Sequence, residues 1–197
     1  MAEERVKTAL ERAMERADSL GKITSDELKR LEFVPQGNSI AARYLKEEEF
    51  SLDAEISKTK GTGNRKWVLM GVQDTLLSNI TLPRDTASKN TSKKAMEGIV
   101  LIKDNKKAAK AVITKIETLF NYYEQARAQM MKELKKEIEA KLAEMQKSMK
   151  YQIGSARNIE METQQQLQEE FRTAISQLDS QYEPTLQQHK KELHRLA

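Results

Sequence analysis

Residues 109–142 read AKAVITKIETLFNYYEQARAQMMKELKKEIEAKL, and a step of 3, 4, 4 from Ala109 lands on Val112, Ile116, Phe120, Tyr123, Arg127, Met131, Leu134, Ile138 and Leu142. The same step runs on through Met145, Met149, Ile153, Ala156, Glu160, Gln164, Leu167, Phe171, Ile175, Leu178, Tyr182, Leu186, His189 and Leu193. Twenty of these twenty-four positions are apolar or aromatic, so the stripe is a property of the segment and not of a few residues. An eleven-residue repeat closes three helical turns at about 3.67 residues per turn, which keeps its stripe on one side of a nearly straight helix. A narrow apolar stripe between charged flanks is stable only when another helix covers it. The seam residues expected to make that contact are Phe120, Tyr123, Met131, Leu134, Ile138, Leu142, Met145, Met149, Ile153, Leu167, Phe171, Ile175, Leu178 and Tyr182.

Two arrangements satisfy the pattern. As one helix, the 85 residues from Ala109 to Leu193 would span roughly 130 Å at about 1.5 Å per residue. Alternatively the chain folds back near Gly154, where Glu160 and Gln164 put two polar steps into the seam, and forms two antiparallel helices of about 45 residues each. The phase passes through 156–167 without a slip, which favours the extended helix, with the polar step setting register. Pro184 removes a backbone donor and predicts a bend or an end there. The fold class is therefore all-α. A small N-terminal helical module (1–83) precedes a long coiled-coil segment (84–197), with the helical hairpin as alternative.

Composition agrees. The 197 residues are 32 % charged and only 5 % aromatic, which suits a helical module on a coiled coil better than a large globule. Balanced charge and periodic apolar residues argue against disorder. There is no cysteine, so disulfides and thiolate metal sites are excluded and a reducing, cytoplasmic setting is expected. Met1-Ala2-Glu3-Glu4 does not open a signal peptide. No apolar run reaches the roughly 18 residues of a membrane-spanning helix.

Within the N-terminal module, Val6, Ala9, Leu10, Ala13, Met14, Ala17 and Leu20 recur at helical spacing over 3–20, and Gly21 follows as a stop. Thr24 with Glu27 predicts a capping box opening a short helix through Phe33, ended by Val34-Pro35-Gln36-Gly37. Asn38 or Ser39 would cap the next helix, carrying Ile40, Ala41, Tyr44 and Leu45, and Ser51 a further one with Leu52, Ala54 and Ile56. Residues 65–80 read as a buried helix, a strand over 66–72 having no partner. Asp85 or Thr86 caps a helix through Ile102, and no turn signal is read between Ile102 and Ala109, so it is expected to run on into the seam.

Chemistry-bearing patterns are few. Between Arg84 and Lys115 nine basic residues face three acids. On a continuous helix Lys103, Lys106, Lys107 and Lys110 would share a face able to neutralise phosphates of nucleic acid or anionic lipid. No aromatic residue interleaves them, so base stacking is not indicated. Gly61-x-Gly63-Asn64-Arg65-Lys66 lacks the spacing of a phosphate loop and reads as a linker. His189 and His194 are five apart and do not make an i, i+4 ligand pair. Paired carboxylates such as Glu169-Glu170 show no convergence. Met130 and Met161 lie off the seam, as candidates for a second contact.

No enzyme, cofactor, metal or small-molecule substrate is expected. The leading expectation is a self-associating coiled-coil scaffold, a homodimer or the mate of a partner helix. The second is a nucleic-acid- or ribosome-associated factor using the basic segment 84–115. In its eleven-residue period alone, over 109–193, the chain resembles the peripheral stalks of rotary ATPases. That resemblance implies a structural, stalk-like subunit and carries no site residues.

Overall fold

The computed structural model describes residues 24–149 and 156–196, and for 142, 145–149 and 156–168 the backbone only. The amphipathic stretch 3–20 lies outside the described residues. Thr24 opens α1 (Ser25–Lys46) as expected: its hydroxyl accepts the Glu27 N–H at 3.2 Å, and the Glu27 carboxylate accepts the Thr24 N–H at 2.8 Å. The expected stop at residues 34–37 is not there, and α1 runs straight through Pro35 and Gly37. Pro35 deprives the Leu31 carbonyl of its helical donor, yet both residues face water, which can satisfy that oxygen.

Gly37 explains why the helix continues. It is buried against α3 (Arg65–Ser78), where a Cβ on Gly37 would lie 2.1 Å from the Val68 carbonyl oxygen. A Cβ on Gly71 would lie 2.1 Å from the Val34 carbonyl oxygen. The two helices therefore cross backbone against backbone, and this is the most extensive contact among α1–α4. Around it Ala41, Tyr44, Val68, Val72 and Leu76 are buried. A glycine that reads as a helix stop in sequence is here the notch that admits another helix.

Ser51 caps the short α2 (Leu52–Ser57), accepting the Ala54 N–H at 3.3 Å. The buried helix expected from residue 65 is α3, and no strand occurs among the described residues. Asp85 and Ser88 form a reciprocal box at the start of α4 (Thr86–Ile102). Inside α4, the fully buried Ser92 hydroxyl accepts the Thr81 N–H and sits 3.0 Å from the Thr81 carbonyl, stitching down the 79–81 connection.

α4 does not run on into the seam. It ends at Ile102, and Asn105 starts a new helix, its side-chain oxygen accepting the Ala108 N–H at 3.0 Å. α5 (Lys106–Met149) and α6 (Ala156–Arg195) then lie antiparallel. Lys115 meets Glu192 at 3.1 Å, Tyr123 meets Asp179 at 2.6 Å and Lys141 meets Glu170 at 2.9 Å, so the pairing reverses direction. The single extended helix is thus overturned in favour of the hairpin. Folding back covers much of the stripe within one chain, at a modest loop-closure cost and without immobilising a second molecule. Nor does Pro184 end α6: it is exposed, as is Ser180, whose carbonyl loses its donor toward solvent.

One buried cluster joins α1–α4 to the base of the hairpin, through Ala109, Val112, Ile113, Ile116, Phe120, Tyr123, Leu186 and Leu193. Past Tyr123 the covering thins. Leu134, Ile138, Phe171, Ile175, Leu178 and Tyr182 are half-buried, and Met131 is 39 % exposed. Here Met130 is more buried than Met131, so the eleven-residue step points one residue off the inward face. Leu142, Met145, Met149, Ile153 and Leu167 lie outside the described side chains. The last described ties between α1–α4 and α5 are Lys89–Glu124 and Arg127–Arg84. From Arg127 to Met149, α5 extends roughly 33 Å further at about 1.5 Å per residue, as an arm with α6. Among the described residues no helix is long and apolar enough to cross a membrane.

Candidate functional site

Two features stand out: a polar latch where the arm leaves the domain, and the arm itself. At the latch, Tyr123 is fully buried and packs edge-on against Tyr182, with ring centroids 5.4 Å apart. Its hydroxyl donates to the Asp179 carboxylate at 2.6 Å, and the other Asp179 oxygen takes Arg84 at 2.7 Å. Arg127 donates to the Arg84 carbonyl, and Lys89 pairs with Glu124 at 2.8 Å. An open cleft of about 510 Å³ lies over these groups, lined by Arg84, Asp85, Lys89, Glu124, Arg127 and Met131 among others.

Burial first, then the bond to Asp179, pushes the Tyr123 hydroxyl up to about 12. It is a neutral donor, unsuited to act as a base near neutral pH. Each charged group of the cleft has a protein partner: Lys89 holds Glu124, Arg84 holds Asp179, Arg127 donates to a carbonyl and Asp85 accepts from Ser88. The arrangement fastens α6 and the α4 entry to α5 and offers no aimed nucleophile.

Along the arm, two grooves flank the line between the helices. One, of about 460 Å³, is lined by Met131, Lys132, Leu134, Lys135, Ile138 and Phe171. The other, of about 620 Å³, is lined by Leu134, Glu137, Lys141, Glu169, Glu170, Thr173, Ala174 and Gln177. Leu134 belongs to both.

The basic face expected from residues 103–110 is not assembled. Lys103 sits in the break between α4 and α5, only 5 % exposed, and donates to Gln73 at 2.9 Å and to the Leu196 carbonyl. Burial holds its pKa below the ordinary lysine value, Asp104 opposing the shift. Lys103 thus ties the C-terminal end of α6 to α3. Lys106, Lys107 and Lys110 remain exposed on the first turns of α5. Three cations neutralise few phosphates beside the roughly six to ten of a tight DNA-binding protein.

The glycine-rich segment stays at the surface, Gly61–Gly63 being exposed. Gly61 takes φ 81°, a left-handed turn, and Arg65 donates back to the Ile56 carbonyl at 3.1 Å. Lys66 lies 4.8 Å from the ring of its neighbour Trp67. His194 stands 3.6 Å from Asp74, and His189 3.7 Å from Glu192. Among the described residues no group of three or more His, Asp or Glu could hold a metal ion. Arg84 and Lys89 were read only as members of the basic 84–115 stretch and Asp179 was not singled out, because the latch joins side chains from three separated segments and no local spacing announces it.

No curated protein and no solved structure matches this chain. One family profile does, over residues 53–195, which takes in the latch and both helices of the arm and is 143 of the 197 residues. The chain belongs to that family, DUF6657, a family of unknown function.

Proposed function

We propose that the protein is a non-enzymatic assembly scaffold: a helical domain rigidly carries a two-helix arm, and the arm joins copies of the chain. The supporting observation is the partly covered apolar strip beyond the latch, where exposed Met131 and half-buried Leu134, Ile138 and Phe171 line one groove. The base of the same seam is buried, so within the seam the exposure falls on the arm. Full burial of such a side chain contributes about 1.5–3 kcal/mol, and completing the burial of these partly covered ones contributes a fraction of that each, summed over several residues. A chain without cysteine suits a reducing compartment such as the cytoplasm. A stalk-like role has no residue-level support in a hairpin, and the reduced basic face favours no nucleic-acid reading.

Sedimentation tests the proposal. The wild-type chain is expected to gain mass with concentration in the micromolar range. Met131→Lys, and separately Leu134→Lys with Ile138→Lys, should weaken association by about a hundredfold, the equivalent of roughly 2.7 kcal/mol. Met131 is exposed, so its replacement leaves the fold intact. A wild type that stays monomeric at high concentration contradicts the reading.

A further inference from the structure

The two sides of the arm carry opposite charge. With about 100° per residue on α5, Met131, Lys135 and Lys132 lie roughly 60°, 100° and 160° to one side of Leu134. Glu137 lies roughly 60° to the other. The Met131 groove is accordingly lined by two cations, Lys132 and Lys135, and no acid, with Lys135 reaching Glu139 outside the lining at 3.9 Å in a loose, exposed pair. The opposite groove is lined by three acids, Glu137, Glu169 and Glu170, and one cation, Lys141, which already pairs with Glu170 at 2.9 Å. Lys132, Lys135, Glu137 and Glu169 are all exposed.

We infer that copies of this chain meet through unlike sides of the arm, the lysine-flanked apolar groove of one receiving the glutamate-flanked side of the next. This rests on the self-association proposed above and names the geometry of that contact. A symmetric contact of like sides would set Lys132 and Lys135 against their own copies, or Glu137 and Glu169 against theirs. Like charges in juxtaposition cost energy, whereas the unlike pairing offsets both. The shared Leu134, with Met131 and Ile138 on the basic side and Ala174 on the acidic side, supplies the apolar contact. A contact between different surfaces of identical chains leaves one of each unsatisfied at the ends, so it propagates as an open series unless the rotation closes a ring.

Charge reversal tests this, read by sedimentation of the full chain. Lys132→Glu with Lys135→Glu makes both sides acidic, and Glu137→Lys with Glu169→Lys makes both sides basic. The second pair leaves the Lys141–Glu170 bridge in place. At low salt the wild type is expected to pass beyond dimer mass. Each reversed chain alone should associate at least about tenfold more weakly. An equimolar mixture of the two should recover association, because each then meets a side of opposite sign, and added salt should weaken both wild type and mixture. A wild-type plateau at dimer, or a mixture no better than its parts, overturns the unlike pairing while leaving self-association standing. Failure of the wild type to associate under any condition overturns both. All four positions are exposed on helix surfaces, and an unchanged helical signal verifies that each variant is folded.

Discussion

Gly37→Ala and Gly71→Ala are each expected to lower the unfolding free energy by at least about 3 kcal/mol, a large fraction of the roughly 5–15 kcal/mol of a typical domain. The added methyl carbon would lie 2.1 Å from a carbonyl oxygen of the facing helix, Val68 in one case and Val34 in the other. That atom belongs to the backbone, so no rotamer change relieves the clash and α1 and α3 must separate. Separation loosens the packing of Ala41, Val68 and Val72, all at most 2 % exposed. The sign is diagnostic. In an uncrowded helix interior, glycine to alanine stabilises by about 1 kcal/mol through the unfolded chain and helix propensity. Urea unfolding reads the difference directly, and a gain in stability at either position would show that the helices do not meet there. The double variant should cost less than the sum, since one methyl group already separates the helices.

The second large effect is at the latch. Tyr123→Ala removes the largest fully buried side chain and should cost about 3–5 kcal/mol, as aromatic truncations in cores do. Tyr123→Phe keeps the ring against Tyr182 and should cost only about 1 kcal/mol, because Asp179 retains Arg84 as a partner. The pair of variants separates packing from hydrogen bonding. The phenylalanine variant also carries a pH signature. In the folded chain the Tyr123 hydroxyl titrates at about 12, against an ordinary value of 10.0. A raised acid favours the folded state while neutral, so its contribution is full below about pH 10 and is lost as pH rises through about 12. Tyr123→Phe lacks that component, so the stability gap between wild type and variant should close over this window. Buried Lys103 and half-buried Lys190, whose pKa values are lowered, act in the opposite sense in both proteins and cancel from the comparison. A gap that stays constant from pH 8 to pH 12 would contradict the buried hydroxyl.

Local signals were readable wherever the controlling atoms are neighbours in the chain. Thr24 with Glu27, Ser51 and Asp85 all cap helices as their positions suggest, and the buried α3 follows from its apolar content. Asn105 was equally readable: Asp104-Asn105 is a cap pair, hidden by the apolar periodicity on either side of it. Pro35-Gln36-Gly37 misleads because its meaning is tertiary. Propensity marks a stop, and a helix distant in sequence turns the glycine into a contact. Pro184 misleads likewise, since an exposed face lets water replace the lost helical bond.

The hairpin was readable only as the second of two arrangements, for a different reason. Both helices of an antiparallel pair need the same apolar spacing, so a phase that survives residues 150–155 does not distinguish one helix from two. The half-buried Leu134, Ile138 and Phe171 were visible as seam residues, but not that the domain would cover only the base of the seam. The latch was invisible, because Arg84, Tyr123 and Asp179 are brought together only by the fold-back.

That fold-back is the claim on which the latch, the arm and its two sides all depend. The chain has no cysteine, so Lys115→Cys with Glu192→Cys accepts two nitroxide labels cleanly. The pair should be measured by pulsed dipolar spectroscopy in a large excess of unlabelled chain. Helices packed about 8–10 Å apart predict a label separation below about 25 Å. A separation near the roughly 115 Å of 77 continuous helical residues would contradict the hairpin and everything built on it.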